Sequence, residues 1–385
     1  MKNIGFRIYV GGRVVKIGVL GGAGDMGFSI VTFLSEMKEV EEILIGDINP
    51  DRVKDVIKEL GEAGEKIELV KVDARNKSSL MEYLSRDLDS VVSAIGPFYE
   101  FAKPIMEAAI EAGKPFLDIC DDSDGAEQSL ELNEKAKRKG VTCITGLGWT
   151  PGLSNILALK GYRELGGADE IKIYWLGSAA DSKGLAVIMH VFHAMTGEVP
   201  QYLEGELKMV EAGSEREDVL FPEPFEEHST YYVGHPEPVT IPRYLEGLKT
   251  VILKGALVPN WQNTLVKFFV KLRFTKTPTR KRRLAKFIHS IEGIFRSGGV
   301  EASAVRVDVV RGEERIVFAS VDRMFKLTGL PAALGAKYLA KHEIEKPGVY
   351  PPEAVIEPER FLKEVIENDI PLYVLKDNTW ELVYI

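Results

Sequence analysis

The residues with the clearest chemical purpose lie near the amino terminus, in Val19-Leu20-Gly21-Gly22-Ala23-Gly24-Asp25-Met26-Gly27. Gly22, Gly24 and Gly27 carry the spacing G-x-G-x-x-G. The run follows an apolar strand pattern and opens a helical one, the context in which this spacing binds a dinucleotide. Gly22 permits a tight turn, Gly24 lets the backbone approach a pyrophosphate, and Gly27 lets the helix sit close to the strand. Asp25 and Met26 begin that helix, whose N-terminal N–H groups and partial positive charge hold the anion. The second strand pattern ends at Asp47, 25 positions after Gly22. A carboxylate there accepts both ribose hydroxyls and repels a 2′-phosphate. A unit-charge pair at ~4 Å in an effective dielectric of about 20 is worth about 4 kcal/mol at most. NAD is therefore expected over NADP, with Arg52 the nearby residue that softens the preference. Asp73-Ala74 closes the third strand, on the adenine side, and Ala94-Ile95-Gly96-Pro97-Phe98 closes the fourth, on the nicotinamide side.

Candidates for acid–base work come later in the chain. Asp118 and Cys120 sit at the C-terminal end of the fifth strand pattern, the edge where open α/β sheets bind ligands. Asp118 can accept a proton or hold a cationic amine. Asp121 and Asp122 follow, and crowded carboxylates raise one another's pKa. Cys120 reads as a catalytic candidate or as a small buried apolar residue, and Cys143 as core. His190 and His193 are three apart on the helical pattern Leu185–Met195. No acidic third ligand is evident, so no metal is expected, and His193 is the acid–base candidate. Trp149, Pro151, Gly152 and Asn155 stand where the chain crosses into its second half. A helix opening at Gly152 would offer backbone N–H groups suited to a carboxylate.

Taken together, the Gly22–Gly27 fingerprint, Gly96-Pro97-Phe98, Phe116-Leu117-Asp118-Ile119-Cys120-Asp121 and Gly146-Leu147-Gly148-Trp149-Thr150-Pro151-Gly152-Leu153-Ser154-Asn155 resemble the saccharopine dehydrogenase-like superfamily. That group includes saccharopine reductases, lysine 6-dehydrogenases and carboxynorspermidine dehydrogenases. Thr328-Gly329-Leu330-Pro331-Ala332-Ala333 and Lys346-Pro347-Gly348-Val349-Tyr350-Pro351-Pro352-Glu353 are similar to its C-terminal region. The resemblance is weakest over ~180–300. It implies hydride transfer between a nicotinamide and a carbon bearing nitrogen in an amino acid or its adduct, a C-terminal segment packed on the nucleotide domain, and a homodimer. Thr240-Ile241-Pro242-Arg243 resembles a Thr-x-x-Arg segment of lysine 6-dehydrogenase-like members, which would make Arg243 a bidentate carboxylate clamp. The preceding Gly234-His235-Pro236-Glu237-Pro238 departs from the family's small-residue loop.

These residues need a scaffold. Over the first ~145 residues, strand patterns alternate with helical ones (Lys16–Leu20, Asp25–Met37, Ile43–Ile45, Pro50–Leu60 and onward), the rhythm of a parallel sheet covered on both faces. Longer strand patterns follow, including Ala304–Val310 and Arg315–Val321 around the turn Arg311-Gly312-Glu313-Glu314. The expected fold is α/β: a Rossmann-type, doubly wound parallel sheet over 1–150, with 328–385 returning to it. An α+β, mainly antiparallel substrate and dimerisation domain covers 151–327. Residues 1–15 read as an extra hairpin about Gly11-Gly12. The basic cluster Arg280-Lys281-Arg282-Arg283 reads as a solvated helix face.

Composition limits the rest. The chain has 385 residues, 45% hydrophobic and 28% charged, enough apolar content for a sizeable core. No stretch reaches the ~20 apolar residues of a membrane helix. Met1-Lys2-Asn3-Ile4-Gly5-Phe6-Arg7 has no apolar signal core, so a cytoplasmic location is expected. Two cysteines make neither a disulfide framework nor a four-thiolate zinc site. A net charge of −9 argues against general nucleic-acid binding. Only three glutamines beside many charged residues hint at a hot habitat. The expected partner is thus a small amino-acid-like molecule, with neither nucleic acid nor membrane. Two rivals to NAD-dependent amine oxidation stand: an NADPH-dependent reductive condensation, and a dinucleotide-binding sensor or scaffold without turnover.

Overall fold

The computed structural model describes residues 8–9, 12–181, 185–291, 293 and 299–384. Its first sheet has seven strands, in spatial order Gly348–Tyr350, Thr142–Ile144, Phe116–Asp118, Ser90–Ser93, Val15–Leu20, Val40–Asp47 and Ile67–Lys71. Every neighbouring pair is parallel. Numbered along the chain, this is the 3-2-1-4-5-6 order of doubly wound folds with a seventh strand added. The order reverses between Val15–Leu20 and Ser90–Ser93, which opens a crevice at their C-terminal ends.

Both faces are covered, so the strands read as continuous apolar runs rather than alternating ones. On one face Ile17 and Val19 meet Ile30 and Leu34 of helix Asp25–Glu36 and Leu330 of helix Met324–Ala340. On the other, Leu20, Val91 and Phe116 meet Leu80 of helix Lys77–Leu84 and Ile105 of helix Phe98–Ala112. Local signals set the ends: the Asn76 side chain accepts from the N–H groups of Ser78 and Ser79.

The second sheet has ten strands among the described residues. Its centre is Glu170–Ser178, flanked by Thr250–Val258 in parallel and by Ser303–Arg311 antiparallel. All its other pairings among the described residues are antiparallel. Strands Glu198–Leu203, Glu206–Glu211 and Glu217–Leu220 are absent from the sequence reading. Glu206–Glu211 buries no residue fully, so it lacks the apolar alternation that marks a strand.

The C-terminal region divides. Helix Met324–Ala340 and strand Gly348–Tyr350 join the nucleotide-binding sheet, where the Ser29 hydroxyl donates to Phe325 O and Ser90 Oγ to Ala336 O. Strand Leu372–Lys376, however, pairs with Glu314–Asp322, and Thr379–Leu382 pairs with it in turn. The expected return of the whole 328–385 segment is corrected accordingly: the open edge of Glu314–Asp322 takes the last hairpin. At the other terminus, Ile8–Tyr9 pairs with Gly12–Arg13, while residues 1–7 and 10–11 of the expected hairpin lie outside the described residues. No described helix is long and apolar enough to cross a membrane.

Candidate functional site

A cavity of about 400 Å³ extends from the glycine turn to the second sheet. At one end it is lined by Gly24, Asp25, Met26, Arg52, Ala94 and Gly96-Pro97-Phe98. Gly21, with φ +80°, takes the turn assigned to Gly22 in the sequence; Gly22 instead packs on Ile45, where a Cβ would approach to 2.7 Å. A Cβ on Gly27 would lie 2.0 Å from Gly21 O, so only glycine lets the helix press against the turn. A Cβ on Gly24 would meet nothing nearer than 3.4 Å, which leaves the backbone open to the cavity. Asp47 Oδ2 accepts from Ala23 N at 3.1 Å and Oδ1 from Asn49 N at 2.8 Å, tying the turn to the second strand. Arg52 donates to Asp25 at 3.0 Å. Asp73 and Ala74 do not line the cavity. The Asp73 carboxylate is taken by Arg75 at 3.0 Å, and that bond holds it below the usual carboxylate range.

The other end is mostly apolar. Leu185, Ile188 and Val191 of helix Leu185–Ala194, together with Leu265, Val266 and Phe269, form much of its wall. One polar island interrupts it. His190 Nδ1 lies 2.9 Å from Asp122 Oδ1 and 3.2 Å from Asp121 Oδ1. His190 Nε2 lies 3.2 Å from His235 Nε2, and His235 Nδ1 lies 3.6 Å from Glu237 Oε2. Glu237 Oε1 accepts from Thr150 Oγ1 at 2.6 Å and Ser154 Oγ at 2.8 Å. Burial pulls the His190 imidazolium toward deprotonation, but Asp121 and Asp122 outweigh it and raise the group to about 10. Burial opposes ionisation of Asp122 and Glu237 as well, yet the histidines facing them hold both carboxyls below the usual range. With His190 as imidazolium, its Nε2–H points to His235 Nε2 as acceptor.

Aromatic rings stand beside this relay. Trp149 and Trp175 are 6.2 Å apart between centroids, and Trp175 lies 5.8 Å from His235. The indole N–H groups of both tryptophans, His235 Nδ1 and Glu237 Oε2 are buried without a hydrogen-bond partner. Orphaned polar atoms are rare in folded interiors; Trp149, Trp175 and His235 line the cavity, where a ligand could reach them, whereas Glu237 does not. Arg52, at the nucleotide end, is the only Lys or Arg lining the cavity among the described residues. Asp121, Asp122 and His190 also bring their ligand atoms within 4.8 Å of one another, a spacing that can hold a cation.

Several sequence candidates stand elsewhere. Asp118 is fully buried, with Oδ1 accepting from Cys120 N, Gly146 N and Thr145 Oγ1 at 2.9–3.1 Å. Burial raises it to about 6 against those three bonds, and it ties two strand ends together rather than facing the cavity. Burial and the surrounding carboxylates push the Cys120 thiol far up, so it is no nucleophile at neutral pH. His193 contacts Asp124 at 3.2 Å and Lys281 at 2.9 Å and stacks on Tyr99, outside the cavity; His190 holds the place assigned to it. Trp149 and Pro151 line the cavity, but Gly152 N donates to Asn155 Oδ1, Leu153 N to Gly148 O and Ser154 N to Trp149 O. The amides expected to hold a carboxylate are thus already satisfied. Asn155 Nδ2 donates to Glu353 Oε2 at 2.8 Å, with Thr240 buried beside that carboxylate. Burial raises Glu353 to about 7. Arg243 is an exposed residue 3.4 Å from Glu127, not a clamp in the cavity. His235 and Glu237 were missed because only their loop, not their pairing with His190, shows in the sequence.

Residues 17–144 match the family model described as saccharopine dehydrogenase NADP binding domain. That match covers about a third of the chain, the part that forms the first six strands of the parallel sheet. The saccharopine dehydrogenase-like oxidoreductase of Mus musculus is 35% identical over 82 residues, which cover 20% of this chain and 18% of that protein. A Caenorhabditis elegans lipid droplet localized protein is 24% identical over 138 residues, 34% of this chain and 32% of that one. The matches thus span about a third or less of these curated relatives. The apo saccharopine dehydrogenase (L-Glu forming) of Saccharomyces cerevisiae superposes with a TM-score of 0.67 at 14% identity, covering 94% of this chain and 100% of that one. At that identity the likeness establishes a shared saccharopine dehydrogenase fold.

Proposed function

We propose that this saccharopine dehydrogenase-like chain is a nicotinamide-dependent oxidoreductase that moves hydride to or from a carbon bearing nitrogen in a largely apolar substrate. The supporting observation is the island of Asp121, Asp122, His190 and His235 beside two tryptophans, in an apolar cavity continuous with the glycine turn. The dinucleotide, when bound, supplies or accepts the hydride at its nicotinamide ring. Gly24, Asp25 and Met26 would hold the pyrophosphate, Asp47 the ribose, and Ala94 with Gly96-Pro97-Phe98 the nicotinamide half. The open backbone at Gly24 fits that group.

A cationic amine suits the other end, because aromatic faces and a carboxylate both attract it. His190 would donate a proton through Nε2 and His235, Asp121 and Asp122 would hold the imidazolium by charge, and solvent would return the proton afterwards. The absence of Lys and Arg there among the described residues supports a substrate without a carboxylate to clamp, unlike the amino acid expected from the sequence. For the coenzyme, Asp47 supports NAD, whereas Arg52 and the family description favour NADP. We retain NAD, since the Asp47 carboxylate is fixed by two amides at the end of the second strand.

The test is a panel of apolar primary and secondary amines, matched amino acids and carbonyl–amine pairs, followed by absorbance of the reduced coenzyme. The expected result is turnover of apolar amines well above that of amino acids. Turnover confined to amino acids would reject the substrate reading, and coenzyme binding without turnover of any member would favour a sensor.

A further inference from the structure

The outer wall of the substrate end is built from two consecutive helices, Trp261–Lys271 and Pro278–Ser290. Gln262, Leu265, Val266 and Phe269 of the first and Ile288 of the second line the cavity from within. The outward side is unusual. Trp261 is 46% exposed, Phe268 54% and Phe287 58%, and Leu272 and Phe274 in the connection are about half exposed. Phe274 also touches Phe269 edge-on, with centroids 6.0 Å apart, so the exposed rings run on into the cavity wall. A solvated helix face does not gather large apolar side chains in this way.

Charge is gathered on the same stretch. Residues 261–291 contain nine Lys or Arg and no Asp or Glu, in a chain whose net charge is −9. Lys281 turns inward to His193 and Lys267 lies over the Tyr231 ring, but Lys271, Arg273, Lys276, Arg280, Arg282, Arg283 and Lys286 pair with no carboxylate among the described residues. Arg282, Arg283 and Lys286 border a groove of about 380 Å³, together with Thr279, Met189 and Glu100. Half-buried aromatics among clustered cations are the features that hold a helix in the headgroup layer of an anionic membrane.

We propose that these two helices dock the protein on an anionic lipid surface. Charge decides the occupant: a second copy would set cation against cation, whereas anionic headgroups complement the patch and accept its rings. The inference stands apart from the proposed function, because lipid binding needs no turnover.

The experiment is flotation of the full chain with vesicles of phosphatidylcholine alone and with about 30 mol % phosphatidylserine. The expected result is at least tenfold stronger partition onto the anionic vesicles, weakened as salt shortens the screening length. Arg282→Glu with Arg283→Glu should lower that partition about tenfold, and Phe274→Ser with Phe287→Ser should lower it on anionic vesicles at every salt concentration. Equal or absent partition on both vesicles would overturn the proposal, as would variants that bind like the parent. It would also fall if the phenylalanine substitutions split a dimer in size-exclusion chromatography, since the face would then belong to a second copy. Should the phenylalanine variants not fold, the two exposed arginines carry the test alone.

Discussion

The two ends of the cleft are built on opposite plans. At the nucleotide end, backbone does the work: a glycine turn, a helix start and one carboxylate held by amides, all within about 30 residues of sequence. At the other end, side chains do it, drawn from residues as far apart as Asp121, Trp175, His190 and His235. A site made of backbone is fixed by short-range sequence, whereas a site made of distant side chains is fixed by tertiary packing alone. The first can be read from spacing, and the second only once the chain is folded.

Substitutions can break this contrast, starting with the largest expected effect. His190→Gln should lower kcat by about 10²–10⁴-fold while leaving coenzyme affinity nearly unchanged, as removal of an acid–base group does. Steady-state kinetics beside calorimetric coenzyme titration checks it, and loss of coenzyme affinity instead would merge the two ends. In the reducing direction the parent's rate should fall only as pH rises through about 10, where the raised His190 gives up its proton. Gly27→Ala acts on the backbone end. Its Cβ would meet Gly21 O at 2.0 Å, so a loss of about 2–3 kcal/mol in chemical denaturation is expected, with weakened coenzyme binding.

Asp118→Asn should keep turnover within about twofold, because Asp118 lies outside the cavity. Its effect should appear in stability. The folded-state pKa of about 6 lies above the unfolded value, so Asp118 favours the fold while protonated, and that benefit is lost as pH rises from about 4 through 6. The parent's Tm, relative to the variant's, should fall over that window, and a constant difference would remove Asp118 from the account. Asp47→Ser should move the NAD to NADP affinity ratio toward NADP by about tenfold, about 1.4 kcal/mol and well inside the upper bound given above. Arg243→Ala, in an exposed pair with Glu127, should change stability by less than about 1 kcal/mol and leave KM alone. A large rise in KM would restore Arg243 as a substrate clamp.

Much of the fold was legible because the apolar runs of the parallel sheet and the glycine spacing are local signals. The strands near 200–220 were not: Glu206–Glu211 buries no residue fully, Glu217–Leu220 only Val219, and the buried run of Glu198–Leu203 includes Pro200 and Gln201. Within the site, His190 and His193 are indistinguishable by spacing; what separates them is Asp122, 68 positions away, just beyond strand Phe116–Asp118 of the parallel sheet. Asp118 misled for a related reason. A strand-end aspartate looks catalytic until its place is seen: Cys120, Gly146 and Thr145 donate to Oδ1, and the side chain lies fully buried outside the cavity.

The helix Met324–Ala340 has a bearing on how the molecule is made. It is almost entirely buried, and it closes a face of the amino-terminal sheet through Ser29 and Ser90. About 180 residues are translated between the sixth strand of that sheet, Thr142–Ile144, and the helix that covers it. A growing chain therefore carries an open, greasy flank until that helix has been made, and the amino-terminal sheet waits for it before it is whole.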